Sequence, residues 1–261
     1  VRLGYDNGTS GDSLIAYYRM DEAESGSGGT VADYSGNKND ATAEGLKTGA
    51  TGVLGTKGLQ FNSSGNQLNS GGISSTSKSY TFSGWVKRNN SGYIFDTETG
   101  RLVISLGEFT KGGELSFYDG SWKSFGSDAF ISEERWTQFA IVFNATEGRA
   151  EGYLDGTSVG TLPYSGKNIG GATTIGSSFS GVVSPFVGTL DEFRIYNRSL
   201  SSEEVRDLHF LERPISGSYS TEVIEENKIT KWFRVDLDAD VHEGTDLNMT
   251  FRALDGNNSL I

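Results

Sequence analysis

Cysteine is absent from this chain of 261 residues, and proline (3), methionine (2) and histidine (2) are scarce. Without Cys there is neither a disulfide framework nor a thiolate metal site. The only imidazoles are His209 and His242, and no Ser-His-Asp arrangement, phosphate loop or dinucleotide fingerprint accompanies them. No apolar run approaches 18 residues, so the sequence contains no transmembrane helix. Near-absent proline, with glycine in no three-residue period, excludes collagen. Basic residues are also in the minority: 22 Lys and Arg stand against 34 Asp and Glu, a net charge of −12. Such a field repels nucleic-acid phosphates and anionic lipid surfaces. No basic cluster offsets it. The acidic surplus is spread along the chain, which suits a soluble acidic surface or, more sharply, adaptation to high salt.

What the chain does have is glycine, 36 residues, and thirty aromatics: 15 Phe, 11 Tyr and 4 Trp. The aromatics can bury a core, which argues against wholesale disorder. Abundant glycine with few long helical patterns points to many short strands joined by tight turns. The length suits one large β domain plus something smaller.

Residues 1–12 read as a polar leader or linker. Strands are expected at 14–20, with Tyr17 and Tyr18 on opposite faces, and at 57–62. A clear strand is expected at 80–88, where Tyr80, Phe82, Gly84 and Val86 share one face and Trp85 takes the other. Short strands follow at 93–95, 102–105, 115–118 and 122–125. A hairpin joins 136–143 to 150–154 through Asn144-Ala145-Thr146-Glu147-Gly148. Further strands fall at 173–175 and 188–196. One helix is expected near 203–208, capped by Ser201 or Ser202 and stopped before Pro214. The fold class is therefore all-β: a two-sheet antiparallel jelly-roll sandwich over 13–212 with one short C-terminal helix. Strands are also expected at 219–224, 229–237 and 248–253. The 215–261 segment is too short for a second sandwich. It reads as a partial β domain or as strands that pair with a neighbour.

The order of these pieces is specific. Leu14-Ile15-Ala16-Tyr17-Tyr18-Arg19-Met20-Asp21-Glu22 resembles the first strand of laminin-G-like domains of the concanavalin A-like lectin/glucanase superfamily. Asp33-Tyr34-Ser35-Gly36-Asn37-Lys38-Asn39 resembles its Asn-rich loop, although Asp40-Ala41 stands where the family usually has Gly. Lys57-Gly58-Leu59-Gln60-Phe61, Tyr80-Thr81-Phe82-Ser83-Gly84-Trp85-Val86 and Glu151-Gly152-Tyr153-Leu154-Asp155-Gly156 resemble later strands. Gly188-Thr189-Leu190-Asp191-Glu192-Phe193-Arg194-Ile195-Tyr196 resembles the last one. The resemblance spans about 13–212 and implies a pentraxin-type or laminin-G-like domain of a prokaryotic, haloarchaeal-like surface protein. The tail more loosely resembles the start of β-sandwich modules that follow such domains.

Calcium is the cofactor expected. It takes six to eight hard oxygens, and the 33–40 loop offers Asp33, Ser35, Asn37, Asn39 and Asp40. If the first and last strands pair, Asp21 approaches Asp191, and Asp21, Asp33 and Asp191 together would repel one another without a cation. The resemblance also implies structural calcium in this region. The expected ligands are Asp21, Asp33, Asn39 and Asp191. The alternative is an Asx-turn loop held by side-chain to backbone bonds. A sugar-binding face needs planar rings beside polar groups. Trp122, in a turn of Gly, Ser and Lys, is the leading candidate, with Tyr118 and Tyr93; Tyr164 lies near another turn. Trp85 and Trp136 sit in apolar strands and are expected in the core. Glu133-Glu134 and Glu225-Glu226 are neighbours pointing to opposite faces, so neither forms an acid/base couple, and no enzyme is expected.

Seven Asn-x-Ser/Thr acceptors occur, at Asn7, Asn62, Asn89, Asn144, Asn197, Asn248 and Asn257. With no Cys they suit an archaeal or bacterial surface protein and, together with the resemblance, an extracellular location. Both ends read as cut from a longer precursor. The function expected is a non-catalytic, calcium-stabilised recognition or adhesion module with glycans or surface proteins as partners. The alternative is a structural subunit of a filament, sheath or layer, assembled as a homo-oligomer through its terminal strands. A glycoside hydrolase domain is a third reading. No nucleic-acid partner is expected.

Overall fold

The structure is a computed structural model that describes residues 13–21, 28–53, 57–62, 65–107, 112–179 and 184–212. All of them lie in the compact unit Tyr5–Arg213. The expected leader 1–12, the segment 215–261 and the acceptors Asn7, Asn248 and Asn257 lie outside the described residues.

Sixteen strands are described: β1 (Leu14–Tyr18), β2 (Thr30–Val31), β3 (Ala41–Glu44), β4 (Lys47–Thr51), β5 (Lys57–Phe61), β6 (Gln67–Ser70), β7 (Tyr80–Arg88), β8 (Gly92–Thr97), β9 (Val103–Leu106), β10 (Leu115–Tyr118), β11 (Trp122–Ser124), β12 (Trp136–Asn144), β13 (Arg149–Leu154), β14 (Thr157–Pro163), β15 (Thr173–Ile175) and β16 (Gly188–Tyr196). One helix, α1, spans Ser202–Glu212. The first sheet runs β14-β13-β12-β7-β16-β5-β4, with β1 also on β16. The second runs β11-β10-β9-β8-β15-β6-β3-β2. The expected pairing of first and last strands is present, with Leu14 opposite Tyr196 and Tyr18 opposite Phe193.

The period-two alternation of the longer strands fills the space between the sheets. Tyr80, Phe82 and Val86 of β7 enter the main core with Phe95, Phe117, Phe139, Phe143 and Phe193. Their rings meet edge-on or tilted: Phe82 lies 4.7 Å from Phe95, and Phe143 lies 5.2 Å from Phe117. Such contacts add to the area buried. Trp85 takes the opposite face of β7, as its parity requires, and stacks on His209 of α1 at 5.4 Å. The helix covers that outer face: Val205 and Leu208 pack on Ala140, Val142, Tyr153 and Tyr196. The start of α1 is a capping box. Ser201 Oγ accepts from Glu204 N (3.2 Å), and the Glu204 carboxylate accepts from Ser201 N (2.8 Å).

Several expectations change. Trp136 is half-buried and lies outside the core clusters, because it opens β12 at the sheet end. Tyr164, although near a turn, is buried against Phe143 at 4.8 Å and belongs to the core, as is expected of most of the aromatics. Strand β14 is not marked by hydrophobic alternation; its residues are mostly exposed, as suits a sheet edge held by β13 alone.

Candidate functional site

The outer face of the first sheet carries α1, and the outer face of the second is built from rows of register partners. One row of register partners crosses all eight of its strands: Trp122, Tyr118, Val103, Asp96, Thr174, Asn69, Thr42 and Thr30. Their neighbours along the strands, such as Phe117, Ile104, Phe95, Ile175 and Leu68, point into the core. A second row holds Ser124, Ser116, Ser105 and Tyr93.

The three aromatic residues expected to bind ligand come together here. The Trp122 ring lies 5.5 Å from Tyr118 and 5.7 Å from Tyr93. Trp122 and Tyr118 are half-buried and Tyr93 is buried. Beside them is a cavity of about 350 Å³ lined by Ser116, Trp122, Lys123 and Ser124. That volume lies in the range of small-molecule sites. The sequence marked these rings only as neighbours of turns; their meeting depends on strand register.

The charged groups around the cavity are tied to one another. Lys123 pairs with Asp119 and lies over the Phe117 ring at 5.3 Å. Burial would raise the Asp119 carboxyl, but donors from Lys123 and from Ser165 outweigh it and hold the group below its ordinary range. Ser124 Oγ donates to Glu114 (2.8 Å). The Ser105 hydroxyl, beside Ser116 in the register, is buried and has no hydrogen-bond partner. Further along the row, Asp96 is fully buried. Its Oδ2 accepts from Ser178 Oγ (2.9 Å) and Phe179 N (3.4 Å), and Arg101 stands 3.8 Å from Oδ1. Burial raises its carboxyl above the usual range.

The expected calcium ligands divide. Asp33 accepts from Tyr17 N, Ser35 N, Ser35 Oγ and Asn39 N at 2.8–2.9 Å. Four donors use up its acceptor sites, and the loop is the Asx-type turn that stood as the alternative. The Asn39 side-chain amide donates to Ile15 O (2.7 Å), and its backbone carbonyl accepts from Tyr18 OH (2.6 Å). Asp191 is set apart from this loop. It is buried at a β-bulge where Glu192 adopts φ 53°, and it accepts from Val53 N and Glu192 N (both 2.9 Å). Burial, then Glu192, then among further causes the Asp21 charge, push its carboxyl up to about 8. Asp21 itself pairs with Arg19 (3.1 Å). A Cβ placed on Gly52 would lie 2.5 Å from Asp191 Oδ2 and 2.6 Å from the Lys57 carbonyl oxygen. Asp191 Oδ2 and the Lys57 backbone thus crowd Gly52 so closely that no side chain fits there without a shift. Among the described residues, no group of three or more His, Cys, Asp or Glu side chains is arranged to hold a metal ion.

The remaining candidates are placed simply. Asn62 and Asn89 are exposed, while Asn144 and Asn197 are half-buried. Glu133 pairs with Arg88 (3.1 Å) and Glu134 with Lys87 (3.7 Å), so these acids serve in separate ion pairs. Glu225-Glu226 and His242 lie outside the described residues. No helix among the described residues is long and apolar enough to cross a membrane.

The protein is a two-sheet antiparallel β-sandwich with a helix on one outer face and a cavity beside three aromatic rings on the other. The chain belongs to the concanavalin A-like lectin/glucanase superfamily, whose laminin-G type matches residues 60–206. Solved structures of like fold include domain 4 of AbnA, an extracellular arabinanase from Geobacillus stearothermophilus, in complex with arabinotriose. The two share 23% identity and a TM-score of 0.58, over 76% of this chain and 98% of that one. The binding domain of Paraclostridial Mosquitocidal Protein 1 follows at 20% identity and 0.57, over 76% and 52%. The ligand-binding domain of botulinum neurotoxin serotype D, in complex with N-acetylneuraminic acid, stands at 15% and 0.56, over 77% and 51%. The chain thus spans about half the length of the two toxin domains. These likenesses concern the fold of the sandwich.

Proposed function

We propose that the chain is a non-catalytic glycan-binding module of a protein acting outside the cell. The observation that carries this reading is the convergence of Trp122, Tyr118 and Tyr93 beside the cavity lined by Ser116, Lys123 and Ser124. Flat rings next to hydroxyl groups suit the apolar face and the hydroxyl rim of a sugar. The charged neighbours already satisfy each other, so the contacts left for a ligand are mainly neutral. The sugar complexes of the arabinanase domain and of the serotype D domain lend the reading support. The test is calorimetric titration of the chain with neutral oligosaccharides, against Trp122→Ala. Binding that the substitution abolishes supports the reading; no binding to any glycan removes it.

Calcium enters the proposal in a narrower form than the sequence suggested. The Asp191 and Asp21 carboxylates and the Lys57 carbonyl fit a hard cation by donor type. When bound, the ion would neutralise the buried Asp191 and tie the β16 bulge to Lys57, away from the sugar face. Assembly into a filament or layer rests on the terminal segment, which lies outside the described residues; sizing at high concentration tests it.

A further inference from the structure

We infer that Asp119 is a positioning residue of the aromatic site, which it aims from the opposite side of the sheet; this rests on the glycan-binding reading above. Tyr118 and Trp122 are the last register pair of the β10–β11 hairpin, and Asp119-Gly120-Ser121 closes it. Strand β11 is three residues long and ends the sheet, and its register partners among the described residues all lie on β10. Two strands by themselves are marginal in water, so this ladder alone holds the Trp122 ring weakly.

Asp119 supplies the further anchor. Its side chain is 1% exposed. Oδ1 takes the Lys123 ammonium, and Oδ2 accepts from Ser165 N (2.7 Å) and Ser165 Oγ (3.0 Å). The Ser165 hydroxyl is shared with the Asp119 backbone carbonyl (2.7 Å). One carboxylate thus joins β11 to the 164–167 turn, which lies between β14 and β15, strands of different sheets. That turn is rooted in the core. Tyr164 N donates to Gly148 O (2.9 Å), its ring lies 4.8 Å from Phe143, and its hydroxyl accepts from Lys167 N (2.8 Å). Lys123 stands opposite Phe117 in the register, and its ammonium lies over that core ring, so the brace uses the face that Trp122 does not. Stripping a buried carboxylate of its donors is costly. The hairpin therefore cannot swing without breaking Asp119 from Ser165 or from Lys123, and Trp122 keeps the tilt at which it meets Tyr118 and Tyr93. A ring fixed in advance spares a ligand the entropy of ordering it.

The experiment uses the full chain, as the parent and with Asp119→Asn, Ser165→Ala and both together. The indole N–H resonances of the 4 Trp residues are recorded in nitrogen-15 spectra well below the melt. That of Trp122 is assigned by its absence from Trp122→Phe. Each single variant should shift and broaden the Trp122 resonance and leave the other indoles in place, which a general loss of stability would not do. Affinity for the neutral oligosaccharide that the parent binds should fall by about tenfold in each single variant. The double variant should fall no further, because both residues belong to one brace. A Trp122 resonance left as in the parent, a parental affinity, or losses that add in the double variant overturns the inference and leaves glycan binding intact. If Asp119→Asn does not fold, Ser165→Ala decides alone, since it keeps the buried carboxylate paired with Lys123. If the parent binds no oligosaccharide, the glycan reading fails and the inference falls with it.

Discussion

The Trp122 indole lies 5.7 Å from the Tyr93 ring, although β9 and β10 stand between their strands. Three strand spacings amount to about 14 Å, so both side chains lean toward each other over the sheet. The platform is made by that lean, and its loss should be specific. Trp122→Ala is expected to weaken binding of a neutral oligosaccharide by about tenfold or more, roughly 1.4 kcal/mol. The melting temperature should change little, because Trp122 is half-buried on a short edge strand. A variant that binds as well as the parent in calorimetry would remove the platform from the site.

Calcium should stabilise the protein and a chelator should lower its melting temperature. Asp191→Asn is the sharper probe, since it removes the buried carboxylate charge and keeps the side-chain shape. The variant is expected to fold and to lose the calcium-dependent part of the melt. Equal calcium shifts in both proteins would place the ion elsewhere; no shift in the parent would dismiss it.

The pH dependence of the metal-free protein follows from Asp191. Its folded carboxyl is raised to about 8 by burial first, then by Glu192, and by Asp21 as one of the lesser causes. Between the ordinary carboxylate range and pH 8 the folded state therefore binds the extra proton, so this group's contribution to stability falls as pH rises. Melts in chelator should drop across that window, and Asp191→Asn should flatten the slope. A parent slope that Asp191→Asn leaves unchanged would contradict the assignment.

Glu204 has the opposite sign. Its hydrogen bond from Arg198 at 2.6 Å, above all, holds its carboxyl at about 2 despite partial burial. The stability it lends is fully present above its unfolded range and is lost as pH falls toward 2. Ser201→Ala, which removes the cap, should cost about 1 kcal/mol in urea denaturation. An unaltered midpoint would show that α1 is held by its apolar face alone.

In the core, Phe143 touches Phe82, Phe117 and Tyr164. Phe143→Ala should cost about 3–5 kcal/mol, read as an earlier denaturation midpoint. A loss well under 1 kcal/mol would mean that the neighbouring rings close the gap.

Legibility followed the range of the interactions. Alternation along β7 and β12 announced which residues face inward, and Ser201 with Glu204 announced where α1 begins, because both signals are local. Strand β14 escaped because an exposed edge carries no apolar period. Trp136 misled because an apolar strand says nothing of where its first residue emerges. Asp21, Asp33 and Asp191 looked alike as carboxylates. Only the folded chain shows Asp33 saturated by donors from β1 and its own loop, while Asp191 lies buried at a bulge. Trp122, Tyr118 and Tyr93 were legible as candidates one at a time. Their meeting rests on the registers of β8 to β11.

The pairing of Leu14 with Tyr196 has a kinetic consequence. Strand β16 borders β1, β5 and β7, so the last of the described strands is the keystone of the first sheet. Contacts this distant along the chain delay folding until loop closure has been met. A nascent chain emerging in order holds β1 and β5 without their shared partner until synthesis has passed residue 196. Folding of this domain is therefore expected to wait until β16 has been made, after which the first sheet closes at once.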